Sequence, residues 1–378
     1  MAIVLFDNDF RKNLYPLTLT KAVAALRLGI VTIAERWQLL TGKDVFILTE
    51  NYLQPLYKLF PDGENIFIDA SIMADDFLIE KILSLQSGEA LKDEFGLVAC
   101  KSSDKNKFDK IILIDEVRRI KYAWNLFQWN DEMLKNDFKL LTKNRSSQKI
   151  SSTNNIYTDE NIFIENGAVV EFATLNSATG PIYIGKNAQV FEGTIIRGSF
   201  AALDNSVVKA GAKIYGATTI GINCTAGGEI KNSILSNYSN KAHDGYLGDS
   251  VVGEWCNFGA GTSNSNVKNN ANNIFLSAHL SQQKINVGKK CGLIMGDYSR
   301  VAIQSAINTA SVFGVCCNIF GNGLLPKIIN NFMWENEPYN FNKVIADINN
   351  WMKFKNKQLS SVEIDVLKHI FAIEKNNN

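Results

Sequence analysis

Apolar residues recur at every sixth position from 184 to 226. Ile184, Val190, Ile196, Ala202, Val208, Ile214, Ile220 and Ala226 share one register, with Gly185 and Gly221 directly after two of them. A second run holds Tyr246, Val252 and Phe258, and a third Met295, Val301, Ile307, Phe313 and Ile319. A period of six fits neither an α-helix nor a paired hairpin. It fits a short strand plus a turn, three of which close a triangular coil that buries its apolar residues by stacking on its neighbours. With 46% hydrophobic residues in the chain, eight consecutive matches arise by chance well under one time in a hundred. The pattern predicts a left-handed parallel β-helix over residues 156–323. Its register slips between Ala226 and Tyr246, where position 232 is Asn and the next aliphatic residue is Ile234, and a poorly periodic insertion runs from Asn264 to Val287. Breaks of a local rule mark candidate sites.

Ahead of the repeats the pattern changes. Short apolar runs (AIVLF at 2, KDVFIL at 43, ENIFID at 64, FGLVAC at 95, KIILID at 110) alternate with stretches of helical period, predicting an α/β domain over 1–150. Helices are expected over Leu19 to Leu40, Asp75 to Leu85 and Ala123 to Leu141. A polar stretch at 148–155, rich in Ser and Asn, reads as a linker. Beyond Pro326, helical patterns over Lys343 to Lys355 and Val362 to Ile373 predict a helical cap, 326–378, packed on the β-helix flank or its open end.

Composition narrows the function classes. Among 378 residues, 39 Lys and Arg nearly cancel 38 Asp and Glu, so no broad basic field exists for nucleic acid or an anionic membrane. The start of the chain is apolar only from Ile3 to Phe6 before Asp7, too short for a signal peptide or a membrane span, and a cytoplasmic location is expected. Six cysteines without CxxC spacing predict packed, reduced thiols. The three histidines, His243, His279 and His369, are too few and too scattered for a three-His metal site of the β-helix hydratase kind.

Within the break lies Glu229-Ile-Lys231-Asn-Ser233, then Lys241-Ala-His243-Asp-Gly-Tyr246-Leu-Gly-Asp249, then Asn257-Phe-Gly-Ala260-Gly-Thr262. A His, two residues, Tyr-Leu-Gly-Asp, and Asn-Phe-Gly-Ala-Gly-Thr eleven residues after the Tyr resemble the GlmU family, the bifunctional N-acetylglucosamine-1-phosphate uridylyltransferases and glucosamine-1-phosphate acetyltransferases. The resemblance implies acetyl transfer from acetyl-coenzyme A to an amino-sugar 1-phosphate, with His243 as general base. It implies sugar-phosphate contacts from Lys231, Tyr246, Asn257 and, by a looser alignment, Lys290, and acetyl-coenzyme A contacts from Ala260 and Asn266. A homotrimer with its pocket between neighbouring prisms is implied as well. The His role is sound chemistry in its own right, since an amine attacking a thioester must lose a proton and imidazole titrates near neutrality. One feature departs from the family: the coil before Lys231 carries Lys213, Ile214 and Tyr215 where the family has an Arg. Lys lacks the guanidinium fork, so the acceptor is open to change.

The first domain resembles the family's uridylyltransferase half only weakly. Arg11, Leu14, Pro16, Leu17, Thr18 and Lys21 echo its Arg and Pro-Leu pattern and make Arg11 and Lys21 candidate nucleotide contacts. Asp7-Asn8-Asp9 stands where the family's glycine-rich phosphate loop belongs, placing negative charge against phosphate. Asp69, at the end of an apolar run, is a candidate Mg²⁺ ligand for a nucleotidyl transfer, with a plain turn residue as the alternative. Three readings follow: an acetyltransferase, a dual enzyme that also makes a nucleotide sugar, and a scaffold that has kept the fold without the chemistry.

Overall fold

The computed structural model describes residues 1–73, 75–277 and 283–377. Its first domain holds a six-stranded mixed sheet in the order β2-β1-β3-β5-β4-β6: β1 Ile3–Phe6, β2 Val45–Leu48, β3 Asn65–Asp69, β4 Glu89–Asp93, β5 Gly96–Ser102 and β6 Lys110–Leu113. β1 runs parallel to both β2 and β3, while β5 is antiparallel to β3 and β4. The strand missing from the apolar pattern is β4, EALKD, whose only apolar residues are Ala90 and Leu91, both buried.

Three helices belong to this domain: α1 Ile33–Thr41, α2 Asp76–Leu83 and α3 Trp124–Thr142. The first is half the expected length. Residues ahead of it turn at Gly29, whose φ of 82° and approach to α3 leave no room for a Cβ, which would stand 2.3 Å from Asp137. The helix starts instead at Thr32, which with Glu35 forms a reciprocal capping box.

Residues 155–334 wind into the expected left-handed β-helix, its faces made of parallel sheets of six, nine and nine strands, with a further pair, Ser263–Asn264 and Ala306–Ile307, continuing the first face and an antiparallel strand Glu337–Pro338 ending the third. Face A begins at Asn155–Tyr157, face B at Ile162–Ile164 and face C at Val169–Val170. All eight positions of the first hexad run point inward and are buried, as are all five of the third. In the second run Val252 and Phe258 are inward but Tyr246 is not; Leu247 takes that place, and strand alternation turns Tyr246 out onto face A. The slip after Ala226 is two shortened corners, so the inward row continues Ile230, Leu235, Lys241, Leu247.

The corner between faces B and C is built from left-handed residues, and its chemistry changes along the prism. Early coils use Asn187, Asn205 and Asn223, with φ of 55–58°. Asn tolerates this conformation through local polar contacts. Later coils use Tyr238, Trp255, Tyr298, Cys316 and Phe332 in the same conformation. These bulky corners form a common core with α4 Phe341–Lys353 and α5 Ser361–Asn377. Burying large side chains there offsets a backbone cost of roughly 1–2 kcal/mol per residue.

Face B is covered by the first domain, with α3 lying along it. Asn130 of α3 accepts from Gly29 N at 2.8 Å and donates to Ala217 O at 2.9 Å. The inserted hairpin, Ile274–Ser277 with Lys284–Gly288, packs into the same core, and Val287 O accepts from Gln128. Residues 278–282 of the insertion, His279 among them, lie outside the described residues. The polar linker closes the prism's first end. Gln148 and Asn154 hydrogen-bond the exposed backbone of the first coil, and Ile150 rests on its apolar core.

Candidate functional site

Face A is where the register slip leaves polar side chains outward. Parallel pairing stacks Tyr215 on Lys231 and Lys231 on Gly248, with Glu229 beside Tyr246 in the same two strands. Lys231 Nζ lies 5.6 Å from the centre of the Tyr215 ring. The Tyr215 hydroxyl donates to Glu229, and that bond pushes the phenol up to about 12. Tyr246 lies flat across Gly248, where a Cβ would stand 2.1 Å from its hydroxyl. That hydroxyl accepts from Asn266 Nδ2 at 2.9 Å, and the same amide donates to Asp249. Asp249, buried and left-handed at the corner of faces A and B, also accepts from Asn232 at 2.7 Å. One face therefore gathers Lys231, Tyr246 and Asn266. Lys290 is exposed next to Cys291, whose N–H donates to Asn266 O at 3.0 Å, so it sits at the rim of the same cluster.

His243 is exposed at the corner that leads from face C into face A, three residues before Tyr246. Its loop is tightly fitted. Gly245 has a φ of 117°, and a Cβ there would stand 2.1 Å from Thr262 O. Gly261 N donates to Asp244 O at 3.1 Å, which places Ala260 directly beneath the His243 corner. Asn257 is elsewhere, on face C between Asn240 and Arg300 in the ladder. Within one chain it does not join the face A cluster.

Lys241, which the motif alone does not single out, occupies an inward position of the prism and is only 1% exposed. Its ammonium donates to the carbonyls of His243 and Asp244, tying down the loop that carries the imidazole. Its place in the apolar row between Ala226 and Phe258 is readable in the sequence once the shortened corners are counted. Burial depresses its pKa to about 8, with Asp244 opposing the shift. A folded-state pKa below the unfolded value means that the unfolded chain holds more protons between the two, so stability rises with pH across that window. Between about pH 8 and pH 10, wild type should therefore gain about 2 kcal/mol relative to Lys241→Met. Urea midpoints of both proteins at the two pH values measure this, and parallel curves would refute a charged, buried Lys241.

The first domain has its own polar cluster at the carboxyl ends of β1 and β3, the usual ligand crevice of a parallel sheet. Asp69 Oδ1 accepts from Ser71 N at 2.9 Å and Ser71 Oγ at 2.8 Å, and Oδ2 from Asn8 at 2.7 Å and Arg119 at 3.0 Å. Those four donors fill the carboxylate's acceptor sites, and the guanidinium would repel a cation. Asp69 does not fit Mg²⁺. In this arrangement it is a buried structural acid, in line with the alternative reading of a strand-end Asp. Among the described residues no group of three or more His, Cys, Asp or Glu is placed to hold a metal ion.

Arg11 and Lys21 are likewise engaged within the fold. Arg11, 1% exposed, donates to Asp7, Tyr15, Tyr52 and the carbonyl of Thr18. Lys21 leaves its own domain and pairs with Asp297 at 3.0 Å and Glu254 at 3.1 Å on the β-helix. Neither cation is directed at a nucleotide cradle in this structure. A cleft of 1170 Å³ lies away from both clusters, between α2 and α3, lined by residues including Asp75, Phe77, Arg118 and Lys143.

Residues 3–146 match a family described as sugar nucleotidyl transferase. Parts of the chain are similar to proteins named bifunctional protein GlmU. That of Methanocaldococcus jannaschii is 29% identical over 118 residues, covering 31% of this chain and 28% of the relative. That of Trichormus variabilis is 30% identical over 130 residues, covering 30% and 28%. That of Rippkaea orientalis is 30% identical over 128 residues, covering 29% and 28%.

Over part of its length, the chain is similar to GlmU proteins.

Its likeness to these GlmU proteins spans less than a third of their length. What the GlmU-like framework joins is a nucleotidyl-transferase-type α/β domain and a left-handed β-helix. None of the helices among the described residues is long and apolar enough to cross a membrane.

Proposed function

We propose that this chain is a GlmU-like transferase that N-acetylates an amino-sugar 1-phosphate with acetyl-coenzyme A, a cytoplasmic reaction on small molecules. The observation that carries this reading is the gathering of Lys231, Tyr246 and Asn266 on one face, with His243 at its edge. His243 takes the proton of the sugar amine as nitrogen attacks the thioester carbonyl. The new C–N bond forms, the C–S bond breaks, and the proton passes to the departing thiolate. Lys231 meets the sugar phosphate through a charge-assisted bond. Tyr246, Asn257 and Lys290 complete the sugar-phosphate contacts, and Ala260 and Asn266 meet the coenzyme. A homotrimer suits this arrangement, because face B carries the first domain and face C the terminal helices. Face A and its leading edge stay open, with Tyr157, Phe172 and Ile195 exposed along the early coils. A neighbouring prism placed there would cover the apolar edge, close the flat site into a crevice and bring Asn257 from another chain.

A second reading, a sugar-1-phosphate nucleotidyltransferase in the first domain, is favoured by the match over residues 3–146. The two are separated by one pair of assays: thiol release from acetyl-coenzyme A with glucosamine 1-phosphate, and pyrophosphate release from UTP with N-acetylglucosamine 1-phosphate and Mg²⁺. Thiol release without pyrophosphate supports the first reading alone. Pyrophosphate without thiol release overturns it in favour of the second.

A further inference from the structure

Arg27 lies where the first domain meets the β-helix and is 7% exposed. Of its guanidinium nitrogens only Nη1 is hydrogen-bonded, to the carbonyl of Ile30. Glu35, the one carboxylate of the described residues within reach, stands 4.0 Å from Nη1, and the oxygen facing it already accepts from Thr32 N at 2.6 Å. Nε and Nη2 have no hydrogen-bond partner among the described residues. They share one edge of the guanidinium, the edge that grips a carboxylate with two parallel bonds. The same protein shows that edge in use: Arg36 holds Asp137 through Nε at 2.9 Å and Nη2 at 2.8 Å. At Arg27 the edge is empty, and it is not sealed off, because the fully enclosed guanidinium nitrogens without a partner belong to Arg119 and Arg300. Burial pulls the Arg27 pKa down, and Glu35 offsets only part of that effect. A buried charge so weakly paired is costly, which is a reason to look for its counterion outside the chain.

A cavity of about 340 Å³ opens at this place. Arg27 lines it together with Ile30 and Glu35, the two residues that flank Nη1, so the guanidinium stands at its wall. The rest is mainly apolar: Leu39 of α1, Leu141 at the end of α3, and Tyr183, Leu203 and Ile222 of the prism. These side chains continue a cluster in which Ile30, Tyr183 and Leu203 are buried. Both domains supply walls, and the volume is within the range of small-ligand sites, which favour domain junctions. Asp204 is the remaining charged residue of the lining, and its Oδ1 accepts from Lys186 N at 2.9 Å. With Glu35 and Asp204 already at the wall, a ligand with one negative charge suits the site and a dianion would be repelled.

We propose that this cavity binds a monocarboxylate with a short aliphatic body, its carboxylate on the empty edge of Arg27 and its chain among the apolar side chains of the two domains. The site is separate from the face A cluster and independent of acetyl transfer. Its occupant touches α1, α3 and the prism at once.

Isothermal titration calorimetry of the full chain with octanoate tests it, with acetate, octan-1-ol and octyl phosphate as separate arms. Octanoate should bind saturably. Acetate lacks the apolar body, octan-1-ol lacks the charge and octyl phosphate carries too much of it, so each should bind more weakly by ~10-fold or more. Arg27→Gln should weaken octanoate ~10-fold or more, and Arg27→Lys should do so too, since it keeps the charge but loses the fork. Leu39→Glu, at a position 44% exposed, sets a further carboxylate at the rim and should have the same effect; it carries the test if the Arg27 variants fail to fold. His243→Ala should bind as wild type does. No saturable binding of octanoate, any of the other three compounds binding as tightly, or octanoate binding that survives Arg27→Gln or Leu39→Glu would each overturn the proposal.

Discussion

Replacing His243 by alanine should lower kcat for thiol release from acetyl-coenzyme A by ~10²–10⁴-fold, the usual contribution of a positioned general base. KM for the sugar phosphate should change little, because the imidazole acts on the amine and not on the phosphate. Lys231→Ala should behave in the opposite way, raising KM more than it lowers kcat, since it removes binding to a group remote from the reacting nitrogen. A His243→Ala protein within threefold of wild type would dismiss the imidazole as the base. The fold gives a control of a different kind: Lys241→Met leaves the imidazole present but frees the carbonyls of its loop. Its loss of rate should be smaller than that of His243→Ala.

Lys21→Met should destabilise the protein by about 3–5 kcal/mol, the cost of breaking a buried ion pair from one side. The ammonium is enclosed between Asp297 and Glu254, whose charges hold its pKa well above the usual lysine range against the opposing effect of burial. After the substitution Asp297 retains the Thr20 hydroxyl at 2.6 Å and the Glu254 amide at 2.7 Å but has lost its counter-charge. Because the pair joins the two domains, the urea midpoint of the protein should fall. Lys21→Met combined with Asp297→Asn should recover part of the loss, as the remaining charge is neutralised in place. The raised pKa also fixes a sign: this stability is fully present below the pKa of an unfolded lysine and is lost only as pH climbs through the higher folded value. If Lys21 instead served a nucleotide, its replacement would raise KM for UTP and leave the denaturation midpoint alone.

The β-helix was legible because its inward row is a one-dimensional code. Each of Ile184, Val190, Ile196 and Ala202 is buried by the same kind of neighbour above and below, so the period survives whatever packs outside. The motif around His243 was legible for a related reason, since the spacing from Lys231 to Asn266 follows from the length of two coils. Tyr246 was placed in the inward row because it fell six residues before Val252. The step from Leu247 to Val252 is five residues rather than six, and only strand alternation in space shows that Leu247 points in. The extended first helix failed for another cause. Gly29 and the Thr32 capping box mark a break, but the apolar residues before it look helical until α3 is seen against them.

The sequence by itself determined the architecture, the domain order and the line of residues that form the face A cluster, because these depend on repeats and spacings along the chain. Only the tertiary structure decided what the charged residues of the first domain are for. Arg11 is enclosed by its own loop and Tyr52, Asp69 is saturated by donors that include Arg119, and Lys21 has its partners some 230 to 280 residues away, on another domain. Whether a cation meets a ligand, a carboxylate or nothing at all depends on which distant side chains share its low-dielectric surroundings. Arg300, on face C, has the opposite outcome: two buried donors without a partner among the described residues, which no spacing could have revealed.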